Sequence, residues 1–208
     1  MKSDCTNQQR GNKSDAERVE STLIKIHELN TRSSRAEDKR AEIFKALTAT
    51  ADLVALNETW LPFELKWLHP ELKILQSPGA KHHGVLIATD QLKSNLRPIL
   101  PDLWDDCLVA GRYHRRKDKE KGIETETACF VIAVYWPPCR HRECLPKVKA
   151  VINHCRRLDD KLPIALTGDL NLKAAQVQYI ENELNLIRAQ GEQQVLPTHF
   201  DKFQDKHS

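Results

Sequence analysis

Apolar residues in this chain come in short bursts that polar residues close abruptly. "TLIKIHELN" sets Leu23 or Ile24 and Ile26 between polar neighbours, which predicts a strand ending at Asn30. "SSRAEDKRAEIFKALTATA" then spaces Ile43, Phe44 and Leu47 as a helix does, and Ser34 before Glu37 suits a capping-box start. "DLVALNETW" is a compact apolar run flanked by polar residues, the mark of a buried strand. The opening pattern is strand, helix, strand.

The alternation continues. "GVLIAT", opened by Gly84, and "DCLVAGRYH" read as strands, and "TACFVIAVYWPP" as a stronger one that Pro137 and Pro138 stop. "RECLPKVKAVINHCRRLDDK" gathers Leu145, Val148, Val151, Ile152 and Cys155 on one helical face. "LPIALTGDLN" is a further buried strand, and "KAAQVQYIENELNLIRAQ" a helix of weaker amphipathicity. Strands alternating with helices and hairpins predict an α/β domain. The polar residues 1–20 are expected to be a disordered leader, and residues 21–208 one domain without internal linkers or repeats.

Bulk properties narrow the class only a little. The 208 residues suffice for one sizeable core, and a net charge of +3 is mild, so the placement of charge matters more than its sum. No apolar run approaches the ~18 residues of a membrane span. The N-terminus has no secretory h-region, and the six cysteines are irregularly spaced. The expectation is an intracellular chain, nuclear or cytoplasmic, with reduced thiols and no membrane partner.

The chemistry sits where the apolar runs stop. Asn30 follows "LIKIHEL", Glu58 follows "LVALN", and Asp169 with Asn171 follow "IALTG". Strand ends combine rigid backbone with access to solvent. Glu58 and Asp169 are carboxylates suited to Mg²⁺, a hard cation that prefers oxygen donors. Gly168 permits a tight turn or a close approach beside them.

"HELN", "LVALNETWL", "GVLIAT", "VIAVYWPP" and "LTGDLNL" together resemble, in order and spacing, the endonuclease/exonuclease/phosphatase superfamily. The nearest likeness is to the apurinic-type endonuclease domains of non-LTR retrotransposons, over Leu23 to Phe200. The resemblance implies a four-layered α/β sandwich, two packed mixed β-sheets flanked by helices. It implies hydrolysis of phosphodiesters with Mg²⁺ (or Mn²⁺), on DNA as substrate, leaving a nick with a 3′-hydroxyl. It makes Glu58 a metal ligand, with Asn30 beside the metal and the phosphate. Tyr135 faces the scissile phosphate, Asp169 serves the attacking water and Asn171 holds the phosphate. Thr198 is a weaker match to a threonine of a late strand. Two other readings share these motifs: a nucleic-acid-binding remnant without turnover, and a phosphoesterase for small phosphoesters.

The chain departs from the family pattern in three places. Asn57 stands for a glutamine and Leu170 for a phenylalanine, both mild changes. The pattern also continues into further strands and a "Ser-Asp-His" motif, whereas here "DKFQDKHS" follows "THF". The last strands and their histidine are expected to be absent. Asp205 and His207 are not in that motif's arrangement.

The basic run "RYHRRKDKEK", with Arg112, Arg115, Arg116 and Lys117, suggests a hairpin loop reaching along a DNA backbone; a solvated hairpin tip is the plain alternative. Lys81, His82 and His83 precede "GVLIAT" on the side where the resemblance puts nucleic acid. "CRHREC" has the ingredients of a zinc site but none of its usual spacings, so a loop with reduced thiols is the expectation.

Overall fold

The computed structural model describes residues 24–31, 49–61, 71–77, 83–119, 122–137 and 140–186. The chain divides into two compact units after Asn171. In the first, the described strands form two four-stranded sheets. One holds β1 (Ile26–Asn30), β2 (Leu53–Asn57), β3 (Leu72–Gln76) and β4 (Val85–Asp90) in the order β1-β2-β4-β3. The other holds β5 (Ser94–Pro98), β6 (Leu108–Lys119), β7 (Gly122–Tyr135) and β8 (Ile164–Asp169) in the order β5-β6-β7-β8. Helix α1 (His141–Leu158) links β7 to β8. The expected α/β architecture of two mixed sheets with helices is the one observed.

Alternation along the strands explains how the sheets meet. Leu53 and Ala55, Val85 and Ile87, Val109 and Tyr113, and Val131 and Ala133 share one apolar cluster between the sheets. Successive side chains of a strand point to opposite faces. The alternate residues Val54, Leu56, Leu86 and Ala88 therefore form a second cluster on the outer face of the first sheet, joined by Leu61. Phe130, Ile132 and Val134 are equally buried on the outer face of the second. Burial on both faces is why β2, β4 and β7 read as continuous apolar runs. On α1, Cys144, Val148, Val151, Ile152 and Cys155 are buried at helical spacing, as expected from sequence.

Each sheet is mixed in the same way. β1 runs parallel to β2, and β8 parallel to β7, each pair at one edge of its sheet, while the other pairings are antiparallel. Parallel neighbours end at the same side, so Asn30 lies in register with Asn57, and Tyr135 with Asp169.

The structure adds two strands and corrects one expectation. β3 and β5 were not visible in the hydrophobic pattern. The basic run is not a loop: Arg112 to Lys119 belong to β6, paired with β7 down to Gly122. The helix expected near Ile43 and the end of the chain, including Thr198, Asp205 and His207, lie outside the described residues. In the second unit, helix α2 (Ala174–Leu184) buries Ile180 and Leu184 one turn apart. The Gln176 side chain accepts the Lys173 N–H at its start (3.0 Å), and Asn185 closes it in the left-handed conformation. No helix among the described residues is long and apolar enough to cross a membrane.

Tyr113, buried in the core, has its phenol pushed above the ordinary value by burial and by the nearby Asp52 carboxylate, which outweigh the Ser94 and Arg115 contacts. A folded-state value above the unfolded one contributes stability below the unfolded value and loses it as pH rises. Stability is therefore expected to decline from about pH 10 upward. Urea midpoints measured from pH 8 to 11 should fall less steeply for Tyr113→Phe than for the wild type.

Candidate active site

The ends of the two parallel strand pairs meet across the sandwich. Asn30 Nδ2 donates to Glu58 Oε1 of its own sheet (2.9 Å) and reaches Asp169 Oδ2 of the other (3.5 Å). The Tyr135 phenol lies close enough to the same Glu58 carboxylate to feel its charge. Burial, with the Glu58 charge behind it, pushes the Tyr135 phenol up to about 12, so it stays a neutral donor at neutral pH. Four of the residues singled out from the sequence thus converge on one cluster, and Asn171 lies two residues beyond Asp169.

Local backbone presents each of them. Glu58 adopts a left-handed conformation (φ 51°), uncommon for a non-glycine residue and costly by about 1–3 kcal/mol. The following N–H groups hold it there: Thr59 donates to the Gly84 carbonyl (3.2 Å) and Trp60 to that of His83 (2.9 Å). Thr31 Oγ1 also donates to the Glu58 carbonyl (3.1 Å). Asp169 Oδ1 accepts the Asn171 N–H (3.0 Å), and Asn171, itself left-handed at φ 46°, sends its Nδ2 to the Trp136 carbonyl (3.1 Å). Trp136 N–H returns a bond to the Asp169 carbonyl (2.9 Å). The tip of β8 is therefore tied to the tip of β7 by side chain and main chain together.

Glu28 is a contributor that the residue pattern alone did not single out. One carboxylate oxygen accepts the Thr167 hydroxyl (3.1 Å) and the Gly168 N–H (3.0 Å), while the other accepts Asn57 Nδ2 (3.2 Å). It stitches β1 to β8 one step behind the cluster. The signal was present in "HELN", where an acid lies two residues before the asparagine.

The donor chemistry fits a hard divalent ion. Two carboxylates and an amide converge, with the Asn30 NH₂ reaching both Glu58 and Asp169. Rotating that amide by half a turn would present its oxygen instead and complete an all-oxygen set of the type Mg²⁺ or Mn²⁺ takes. A cation there would offset the mutual repulsion of the two acids.

The sequence of this chain matches no family model, and no curated protein matches it. Solved structures do resemble it. The 3′ phosphatase NExo from Neisseria, solved with a product DNA hairpin, is 17% identical with a TM-score of 0.48, over 72% of this chain and 58% of that one. An endonuclease/exonuclease/phosphatase family protein from Bacteroides thetaiotaomicron is 15% identical with a TM-score of 0.49, over 75% and 64%. An AP endonuclease from Archaeoglobus fulgidus is 16% identical with a TM-score of 0.47, over 72% and 58%. The chain spans less than two thirds of the length of each.

A second polar group borders the cluster. His83 Nδ1 is hydrogen-bonded to Asp106 Oδ2, and its ring lies 5.6 Å from that of Tyr135. Arg140 Nη1 donates to the other Asp106 oxygen (2.9 Å). Burial raises the Asp106 carboxyl, but the His83 and Arg140 hydrogen bonds outweigh it and keep the value below the usual range. Donor atoms of His83, Asp106 and Cys107 lie within 4.8 Å of one another, as metal ligands can. Arg140 already supplies the positive charge there, its Nη1 also lying 3.5 Å from Cys107 Sγ. The neighbouring free thiol of Cys144, together with burial, holds the Cys107 thiol well above the ordinary thiol range. With Arg140 on both Asp106 and Cys107, the oxygen cluster suits a cation better.

The basic residues lie elsewhere. β6 begins beside the end of β7 and runs away from the cluster, so Arg115 stands roughly 23 Å along the strand from Leu108. The Arg112 guanidinium sits 5.7 Å over the Phe130 ring, and Arg115 Nη2 lies 3.5 Å from Asp52 Oδ2. Arg116 is exposed, and Lys117 is described only as part of the strand backbone. A cavity of about 340 Å³ opens at this opposite end, lined by Lys25, Asp52, Asp90, Lys93, Tyr113 and Arg115. Its mixed charges and distance from the converging carboxylates separate it from the candidate site.

Proposed function

We propose that the chain is a divalent-metal-dependent phosphodiester hydrolase acting on DNA, an endonuclease domain of the retrotransposon type whose nick leaves a 3′-hydroxyl. The carrying observation is the convergence of Glu58, Asn30, Tyr135 and Asp169 from strands of both sheets onto one point, with Asn171 beside it. The register of five motifs along the chain supports the endonuclease form of that reading.

In this mechanism Glu58 and Asn30 would hold the ion, and Asp169 serves the attacking water. A bound divalent ion would supply charge for the phosphate oxygens and a more acidic water. Asp169 accepts the proton of the attacking water, within the two-residue turn that fixes its carboxylate. Asn171 uses one amide hydrogen on Trp136 and offers the other to a phosphate oxygen. Tyr135 stays neutral and adds no negative charge beside the substrate.

Supercoiled plasmid with Mg²⁺ tests the reading. The expected result is conversion to open circles that EDTA stops, and a polymerase should extend from the nicks without end repair. Absence of metal-dependent nicking by the wild type would reject the endonuclease form. Asn30→Leu removes the bridge between the two acids. Supporting groups around metal sites typically contribute 10–100-fold. The Mg²⁺ concentration for half-maximal nicking is expected to rise by about that factor.

A further inference from the structure

We infer that His83, oriented by Asp106, is a further catalytic residue of this site, handing a proton to the leaving oxygen of a phosphodiester. The inference rests on the hydrolase reading above and deepens it.

The arrangement has the parts such a role needs. His83 Nδ1 is bound to Asp106, so the ring cannot turn freely and its other nitrogen, Nε2, points away from the carboxylate. His83 is partly exposed, with its side chain 25% accessible, so substrate can reach it. Asp106 is itself fixed on both sides: its side chain accepts from Arg140 (2.9 Å), and its carbonyl accepts the Gly84 N–H (2.9 Å). A nucleophile, acid or base held by a second group and steadied by a third is the recurring logic of hydrolytic sites.

Its placement ties the pair to the cluster. The His83 ring stacks at an angle on Tyr135, whose phenol feels the Glu58 charge. The His83 carbonyl receives Trp60 N–H and so helps to set the Glu58 turn. The oxygen cluster has carboxylates and amides to serve an ion, a water and the phosphate, yet none of these readily protonates a departing alkoxide. His83 supplies that function.

The step balances. Water adds to phosphorus and gives its proton to Asp169. The bond from phosphorus to the leaving oxygen breaks, its electron pair stays on that oxygen, and the Nε2 proton of His83 moves onto it. His83 is left neutral, with Nδ1–H on Asp106.

A comparison of leaving groups tests this. The full chain is assayed with Mg²⁺ on an unmodified DNA strand and on thymidine 5′-p-nitrophenyl phosphate, whose nitrophenolate departs without a proton. His83→Ala and His83→Gln are expected to lower kcat on DNA by about 10²-fold or more, the usual scale of general-acid help. On the nitrophenyl ester both variants should stay within about threefold of the wild type, well below that scale. Imidazole added to His83→Ala should restore part of the DNA activity. If the variants lose equally on both esters, or lose nothing on DNA, His83 is not the proton donor although the hydrolase reading stands. A wild type inactive on both esters overturns the hydrolase reading and this inference with it.

Discussion

Alanine at Asp169 is expected to lower the rate of metal-dependent nicking by about 10²–10⁴-fold, the range for loss of a positioned base. Alanine at Glu58 should lower it by about 10²–10³-fold or more, through loss of charge stabilisation at the phosphate. The two differ in how they fail. Glu58 carries the side chain that Asn30 holds beside the Tyr135 phenol, so its removal should also raise the Mg²⁺ requirement. Asp169 meets Asn30 at the longer 3.5 Å and is anchored mainly by its own turn to Asn171, so its loss should fall on kcat. The double variant should be little worse than the weaker single one, because groups that act as a unit do not add. Nicking rates across an Mg²⁺ series, with circular dichroism to show that each variant is folded, check these outcomes. Retention of wild-type nicking by both single variants would place the chemistry elsewhere.

Gly168→Ala is expected to cost at least about 3 kcal/mol and to abolish activity along with stability. Gly168 lies at φ 123°, where an L side chain is strained, and a Cβ added there would stand 1.9 Å from the Val134 carbonyl oxygen. No rotamer relieves a clash of Cβ with backbone. β8 would have to leave β7 at the step that presents Asp169, breaking the register of Val134 with Gly168 and Tyr135 with Asp169. The Glu28 carboxylate, which accepts the Gly168 N–H, would lose its hold on β8 as well. Urea unfolding of the variant beside Asp169→Ala separates the effects: the first should lose stability and activity, the second chiefly activity. A Gly168→Ala protein with an unchanged midpoint would show that β8 can yield.

Much of the sandwich was readable because its central strands are buried on both faces. β2, β4 and the Cys129–Tyr135 stretch of β7 must be almost continuously apolar, and such runs are distinctive in a chain of otherwise mixed composition. β3 and β5 were not, since each is an edge strand: "LKILQ" is short and broken by Lys73, and "SNLRP" is largely polar and ends in proline. An edge strand needs only one buried face and tolerates Pro where no partner asks for its N–H. The basic run misled for a related reason. Its charges suggested a loop, but the backbone of β7 continues opposite it, from Arg115 with Glu126 to Lys119 with Gly122, so main-chain pairing carries the strand outward.

By itself the sequence determined where strands stop and which polar residue stops each one, because both are set by local alternation and turn chemistry. It thereby determined the candidates Asn30, Glu58, Tyr135, Asp169 and Asn171. Only the tertiary structure decided that Asn30 touches residues 28 and 139 positions away, and that His83 and Asp106, 23 positions apart, pair beside Tyr135. Those contacts depend on which strands run parallel and on how two twisted sheets stack. That is a property of the whole core's packing, and no local stretch of residues encodes it.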